Sequence, residues 1–189
     1  MTQKRTEWKL AMTSTKKWAV LVTIILGLLT LYVADRLHSK SSPMSDSAPL
    51  NRLTLQDGSG KMQPLAQWQG QPRLINFWAP WCAPCRAELP LLNQLYPEWH
   101  ARQVHFIGIA MDQPDTVRAF ARQHPLSYPD LIGQDDTLLL TRFWGNVQQG
   151  LPMTLLIGAD DHIRWVKLGK LDEAELRTAL TQLVRPSQP

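Results

Sequence analysis

The stretch "NFWAPWCAPCRAELP", Asn76 to Pro90, holds Cys82 and Cys85, the only two cysteines of the chain. A Cys-x-x-Cys pair serves metal ligation, a structural staple or reactive dithiol chemistry. Zinc is the first alternative, because His100 and His105 follow at the spacing of a two-Cys, two-His site. The context opposes it. Cys82-Ala83-Pro84 reads as a helix start, and His105 sits in the apolar run "VHFIGIAM". The residues between form an amphipathic helix rather than a finger, so no metal is expected. His100 and His105 then read as a helix end and an ordinary strand position. A staple is the second alternative. Its stabilisation grows with the length of chain it closes, and two intervening residues restrict little.

The reactive reading has positive support. Orphan amides and the helix dipole at an N-terminus favour a thiolate, which makes Cys82 the nucleophile. Cys85 lies one helical turn inward, within disulfide reach, and can resolve a mixed disulfide formed at Cys82. Pro80 and Trp81 shape the approach. The dithiol is itself the redox group, so no cofactor is required.

The rest of the chain supplies a setting. It has 189 residues, 44% of them apolar, and a net charge of +4. That charge resides in residues 1–17, a basic tail. Beyond it, acidic and basic side chains balance, so no basic stripe suggests nucleic acid. "WAVLVTIILGLLTLYVA", Trp18 to Ala34, carries no charge across 17 residues. A helix of that length spans about 25 Å, the lower limit for a bilayer. Trp18 and Tyr32 stand near its ends, where amphipathic rings favour the interface. A cleaved signal peptide is the rival reading, but no small-x-small site follows. The expectation is an uncleaved, single-pass anchor at 18–34, with the basic tail in the cytoplasm and everything after it outside. Residues 35–50 are Ser-rich, with two prolines and no apolar period, and read as a flexible tether. Residues 51–189 form the folded domain.

Within that domain, Leu53 and Leu55 alternate with polar residues before the Asp57-Gly58 and Ser59-Gly60 turns, a hairpin. "RLINFWA" and "VHFIGIAM" read as buried strands. The helix opened by Cys82 runs through Pro90, which should kink it. "QPDTVRAFARQH" reads as a helix with Asp112 as N-cap. "DDTLLLTRFWG" follows as a short helix. "MTLLIGA" and "HIRWVKLG" form an antiparallel pair around Asp160-Asp161. "DEAELRTALTQLV" is a last amphipathic helix presenting Ala174, Leu176, Leu180 and Leu183. The order is hairpin, then β-α-β-α-α-β-β-α, which implies an α/β sheet with a parallel part, an antiparallel edge and helices on both faces.

The residues from the strand "LINFWA" through the Trp-Cys-x-Pro-Cys box, Glu88 and Pro90, together with "GLPMTLLIG", resemble the membrane-anchored TlpA/ResA/CcmG family. The resemblance covers about residues 51–184. It implies a thioredoxin-like fold, a central mixed sheet flanked by helices, with an N-terminal β-hairpin and a central insertion. It implies that Pro152 is cis and lies against the dithiol, and that a substrate strand pairs with Leu151. Asn76 stands where plain thioredoxins carry a buried Asp. Glu88 matches the buried glutamate of the ResA-like group, which would accept the Cys85 proton; the alternative is a helix-surface glutamate. Ala79 is not the threonine that peroxidase variants of the fold use.

Ala83 and Pro84 add no charge between the cysteines. Without a charged group to favour the thiolate, the pair should be a moderate reductant. The resemblance implies re-reduction by a membrane electron donor and a protein-disulfide substrate. Candidates are the Cys-x-x-Cys-His of apocytochromes c or the cysteines of copper-site proteins. The place implied is the bacterial inner membrane, with the domain in the periplasm. A Cu(I)-carrying module using the same two cysteines is the alternative from another class.

Overall fold

The computed structural model describes residues 14–38 and 46–185, in two units that divide between Ser41 and Ser42. The described part of the first unit is one helix, α1 (Ser14–His38). Its apolar side chains from Val20 to Leu31 are exposed. Among the described residues no helix is long and apolar enough to cross a membrane. The span read at 18–34 includes Ala19, Val33 and Ala34, whose side chains lie outside the described set.

The second unit is built on one seven-stranded sheet. Its strands are β1 (Thr54–Asp57), β2 (Met62–Pro64), β3 (Arg73–Trp78), β4 (His105–Met111), β5 (Asp130–Gly133), β6 (Met153–Ile157) and β7 (Ile163–Leu168). Their order across the sheet is β2-β1-β5-β4-β3-β6-β7. β3, β4 and β5 are parallel, while β1, β6 and β7 run antiparallel to their neighbours. The helices are α2 (Ala48–Asn51), α3 (Ala83–His100), α4 (Pro114–Gln123), α5 (Asp135–Leu140) and α6 (Glu173–Leu183).

Period two along β3 splits the core. Leu74 joins Phe106 and Leu156 on the face covered by Leu92, Leu95 and Trp99 of α3 and by Leu176 and Leu180 of α6. Ile75 and Phe77 join Ile107, Ile109 and Leu155 in a cluster with Leu50, Leu65 and Trp144. α3 stays helical through Pro90 and Pro97. Its buried positions, Cys85, Glu88, Leu89, Leu92, Leu95 and Trp99, repeat at three and four residues and form a single stripe.

Several expectations are corrected. β5 was not foreseen: four residues closely preceded by Pro125 and Pro129 carry no readable period. The end of the expected tether is folded, because Leu50 plugs the core and the Ser47 hydroxyl donates to Asp161 O at 2.6 Å. The N-cap of α4 is Gln113, not Asp112, whose Oδ1 instead accepts from the Gln113 amide. The helix expected at 135–145 is α5 followed by a 3-10 turn, Thr141–Trp144, ended by Gly145 at φ 89°. In α6 Ala179, not Ala174, completes the buried face.

Arg73 fastens the start of the domain. The side chain is buried and donates to Asp161 Oδ1 at 2.8 Å, Asn51 Oδ1 at 2.9 Å, and the carbonyls of Trp68 and Gln71. Removing it strands a carboxylate and two carbonyls. Arg73→Ala should therefore destabilise the domain by about 2–4 kcal/mol in urea denaturation. A loss below about 1 kcal/mol would show that the clasp contributes nothing net.

Candidate active site

β3 is buried along its whole length and delivers the chain, at its C-terminal end, to Ala79-Pro80-Trp81-Cys82. Cys82 is the N-cap of α3, and its Sγ accepts from the Cys85 amide at 3.3 Å. Its carbonyl receives the first helical bond, from Arg86 N at 3.1 Å. Pro84 sits in the first turn, where its missing amide leaves no bond unmade. The two cysteines are joined in a disulfide, Cα to Cα 5.2 Å. Cys82 keeps 5% exposure and Cys85 none. Cys82 is thus the cysteine nearer the surface, and Cys85 lies beneath it.

β6 pairs with β3 so that Phe77 faces Met153. The Leu151–Pro152 bond, which is cis, falls beside the end of β3 where the cysteine motif begins. Of the four residues expected to form the substrate groove, Pro80 and Pro152 are buried. Trp81 and Leu151 present side-chain surface, Trp81 at 67% exposure. The structure places these two in different depressions. Trp81 lines one of about 460 Å³ with Met111, Asp112 and Leu138. Leu151 lines another with Val147 and Leu168.

Glu88 lies one turn beyond Cys85 and is buried at 1% exposure, not on the helix surface. Its Oε1 accepts from Asn76 Nδ2 at 2.8 Å, and its Oε2 from the Leu171 amide at 2.8 Å. Asn76 Nδ2 also contacts Thr154 Oγ1 at 3.1 Å. Burial raises the pKa of Glu88, against the opposing pull of these hydrogen bonds and of Lys170. An Asp at position 76 would face this carboxylate with a like charge; Asn faces it with a donor. Thr154 and Leu171 were missed in the sequence. The signal for Thr154 is its register: it stands opposite Asn76 on β6.

Asp130 was also missed. It opens β5 opposite Gly108 of β4. Its Oδ1 accepts from the buried Trp78 Nε1 at 2.9 Å. Gly108 leaves room for it, since a Cβ there would stand 2.3 Å from that oxygen. The carboxyl group is desolvated although the residue as a whole keeps some exposure. Burial pushes its pKa up to about 7, against the lowering by the Trp78 bond.

A mixed sheet between helices, with a disulfide at the N-terminus of the helix that follows the buried strand β3, defines a thioredoxin-fold thiol-disulfide oxidoreductase. A family model described as the AhpC/TSA family matches residues 44–166. The chain belongs to that family, and within it is of the ResA/CcmG/DsbE type. It is 26% identical over 165 residues to the thiol-disulfide oxidoreductase ResA of Bacillus cereus, covering 87% of this chain and 93% of that one. It is 27% identical over 171 residues to ResA of Geobacillus thermodenitrificans, covering 87% and 95%. A solved thiol:disulfide interchange protein of Chlorobium tepidum shares the fold with a TM-score of 0.65 at 23% identity, over 78% of this chain and all of that one. A thioredoxin-related protein of Neisseria meningitidis serogroup B matches with a TM-score of 0.61 at 28% identity, over 68% and 97%.

The raised pKa of Asp130 is a statement about stability. The folded state holds this proton more tightly than the unfolded chain. The contribution is thus fully present below about pH 4 and lost as pH rises through about 7. Asp130→Asn keeps an acceptor for Trp78 and has nothing to ionise. In urea denaturation of the oxidised protein it should gain roughly 2–4 kcal/mol on the wild type between pH 5 and pH 8.5. A difference that does not change with pH would contradict the burial of that carboxylate.

Proposed function

We propose that this chain is an extracytoplasmic reductase of protein disulfides, anchored in a bacterial inner membrane by residues 18–34. The observation that carries the reading is a buried carboxyl, Glu88, one turn from a buried cysteine, Cys85, with Cys82 at the rim. In the reduced protein the Cys82 thiolate attacks a substrate disulfide. A mixed disulfide forms and one substrate thiolate leaves, taking a proton from solvent. The Cys85 thiol then gives its proton to Glu88, and the Cys85 thiolate attacks Cys82 Sγ. The second substrate thiolate departs and is protonated. The protein is left oxidised, with Glu88 holding the proton from Cys85.

Burial of Cys85 and the neighbouring carboxyl both oppose a second negative charge, which disfavours the thiolate and makes the dithiol a better electron donor. Such a donor outside the cytoplasm needs recharging, which by family resemblance falls to a membrane electron donor. Substrate segments pair with the backbone at Leu151, beside the buried Pro152, and Trp81, which follows the buried Pro80 and lines a separate depression, offers a second apolar contact. Cytochrome c maturation or copper-site assembly supplies substrates of this class. Support for the anchor comes from the continuous helix Ser14–His38 and its uncharged run.

The roles are tested together. In the reduced protein Cys82 should alkylate at least tenfold faster than Cys85. Cys85→Ser should accumulate mixed disulfides with its substrates, and Glu88→Gln should slow the resolving step about tenfold or more. Equal alkylation rates, or a Glu88→Gln variant as fast as the wild type, would remove these assignments. A reporter fused after Pro189 should be active only outside the cytoplasm and sediment with membranes; a soluble mature form beginning near Asp35 would refute the anchor.

A further inference from the structure

The amide of Asn76 meets Glu88 Oε1 and Thr154 Oγ1 with the same atom, Nδ2. Its other atom, Oδ1, is buried and has no hydrogen-bond partner among the described residues. A buried polar atom without a partner costs on the order of 1–3 kcal/mol, so its retention needs a reason. The three groups supply one. As an ionised carboxylate, Glu88 Oε1 only accepts, and Asn76 must offer Nδ2 to it. As a carboxylic acid, Oε1 carries a hydrogen and needs an acceptor. Half a turn of the Asn76 side chain about its last torsion exchanges the two amide atoms. Oδ1 then faces both Oε1–H and the Thr154 hydroxyl, which serves equally well as donor or acceptor. Oε2 keeps the Leu171 amide in either state.

We infer that Asn76 is a positioning residue that turns its amide over as Glu88 takes up and releases a proton, giving Glu88 a partner in both states. The inference rests on the reading of Glu88 as the acceptor of the Cys85 proton. An Asp at 76 could not do this, since it would compete for the proton. An apolar residue would leave Oε1 bare in both states, and the loss is greater for the charged one. The other charged or titratable groups near Glu88 are Cys85 on its own helix, Lys170 before α6, and Tyr128 before β5. Lys170 favours the carboxylate, and Tyr128 is neutral across the working range because burial holds its pKa well above 10.

The test uses the full-length reduced chain in detergent micelles. The side-chain amide of Asn76 and the carboxyl of Glu88 are followed by nuclear magnetic resonance through a pH titration. The amide signals should move with the same midpoint as the carboxyl. In Asn76→Leu the midpoint of Glu88 should rise by a pH unit or more, a tenfold tighter hold on the proton. An amide that stays still while Glu88 titrates, or an unchanged midpoint in Asn76→Leu, would overturn the inference. The amide titration is made on the wild type and stands even where Asn76→Leu does not fold. Failure of the underlying reading looks different: Glu88→Gln would then resolve mixed disulfides at the wild-type rate.

Discussion

The carboxyl of Glu88 is the point on which the active end of this protein is hung. A carboxyl taken out of water without partners costs several kcal/mol, so it is tolerated only where the chain brings donors to it. Two segments do so: Asn76 from β3 and the Leu171 amide from the connection before α6. Both approach at 2.8 Å and tie α3 to β3 and to the segment before α6. Once α3 is set, the i, i+3 rule places Cys85 beneath the surface and Cys82 one turn higher at the rim. Cys82 at the rim and Cys85 beneath it thus stand on the same turn of a helix that Glu88 ties to the sheet.

The sheet does the remaining alignment. β3 pairs with β4 on one side and β6 on the other, so its end, the cysteine motif and the Leu151–Pro152 segment come together, with Leu151 packed against the core cluster that holds both cysteines. Across the middle of the sheet Asp130, Gly108, Asn76 and Thr154 stand in one register row. This is a polar band through an otherwise apolar layer. Asn76 donates to Glu88 and to its row neighbour Thr154, and Asp130 accepts from the Trp78 indole. Gly108 is the gap that lets Asp130 in. Arg73, at the start of the same strand, satisfies the polar groups of the segment where the domain begins.

What the sequence disclosed follows from the range of the interactions involved. The dithiol was readable because helix capping, the Pro84 first turn and the i, i+3 reach of the cysteines are all local. The strands β3 and β4 announced themselves as apolar runs, and the hairpin of β1 and β2 by its glycines. β5 did not, because four residues have no measurable period. Leu50 was lost in a Ser-rich stretch whose composition is that of a tether, although a single side chain sufficed to dock it. The partners of Glu88 were invisible for another reason. Leu171 is 83 positions away and contributes only a backbone amide, so no side-chain pattern marks it. Asp130 carries no local mark either, because Gly108, the gap that admits it, lies on another strand.

On the proposed function, the neutral Ala83-Pro84 pair and a buried carboxyl near Cys85 leave the dithiol poised to give electrons rather than take them. The reduction potential of the Cys82–Cys85 couple tests it most directly. It is measured by equilibrating the protein with defined thiol-disulfide buffers and trapping the cysteines. A value in the range of thioredoxin, about −270 mV at neutral pH, is expected. A value near −120 mV, that of a strong oxidant whose reduced form is the stabilised one, would contradict it.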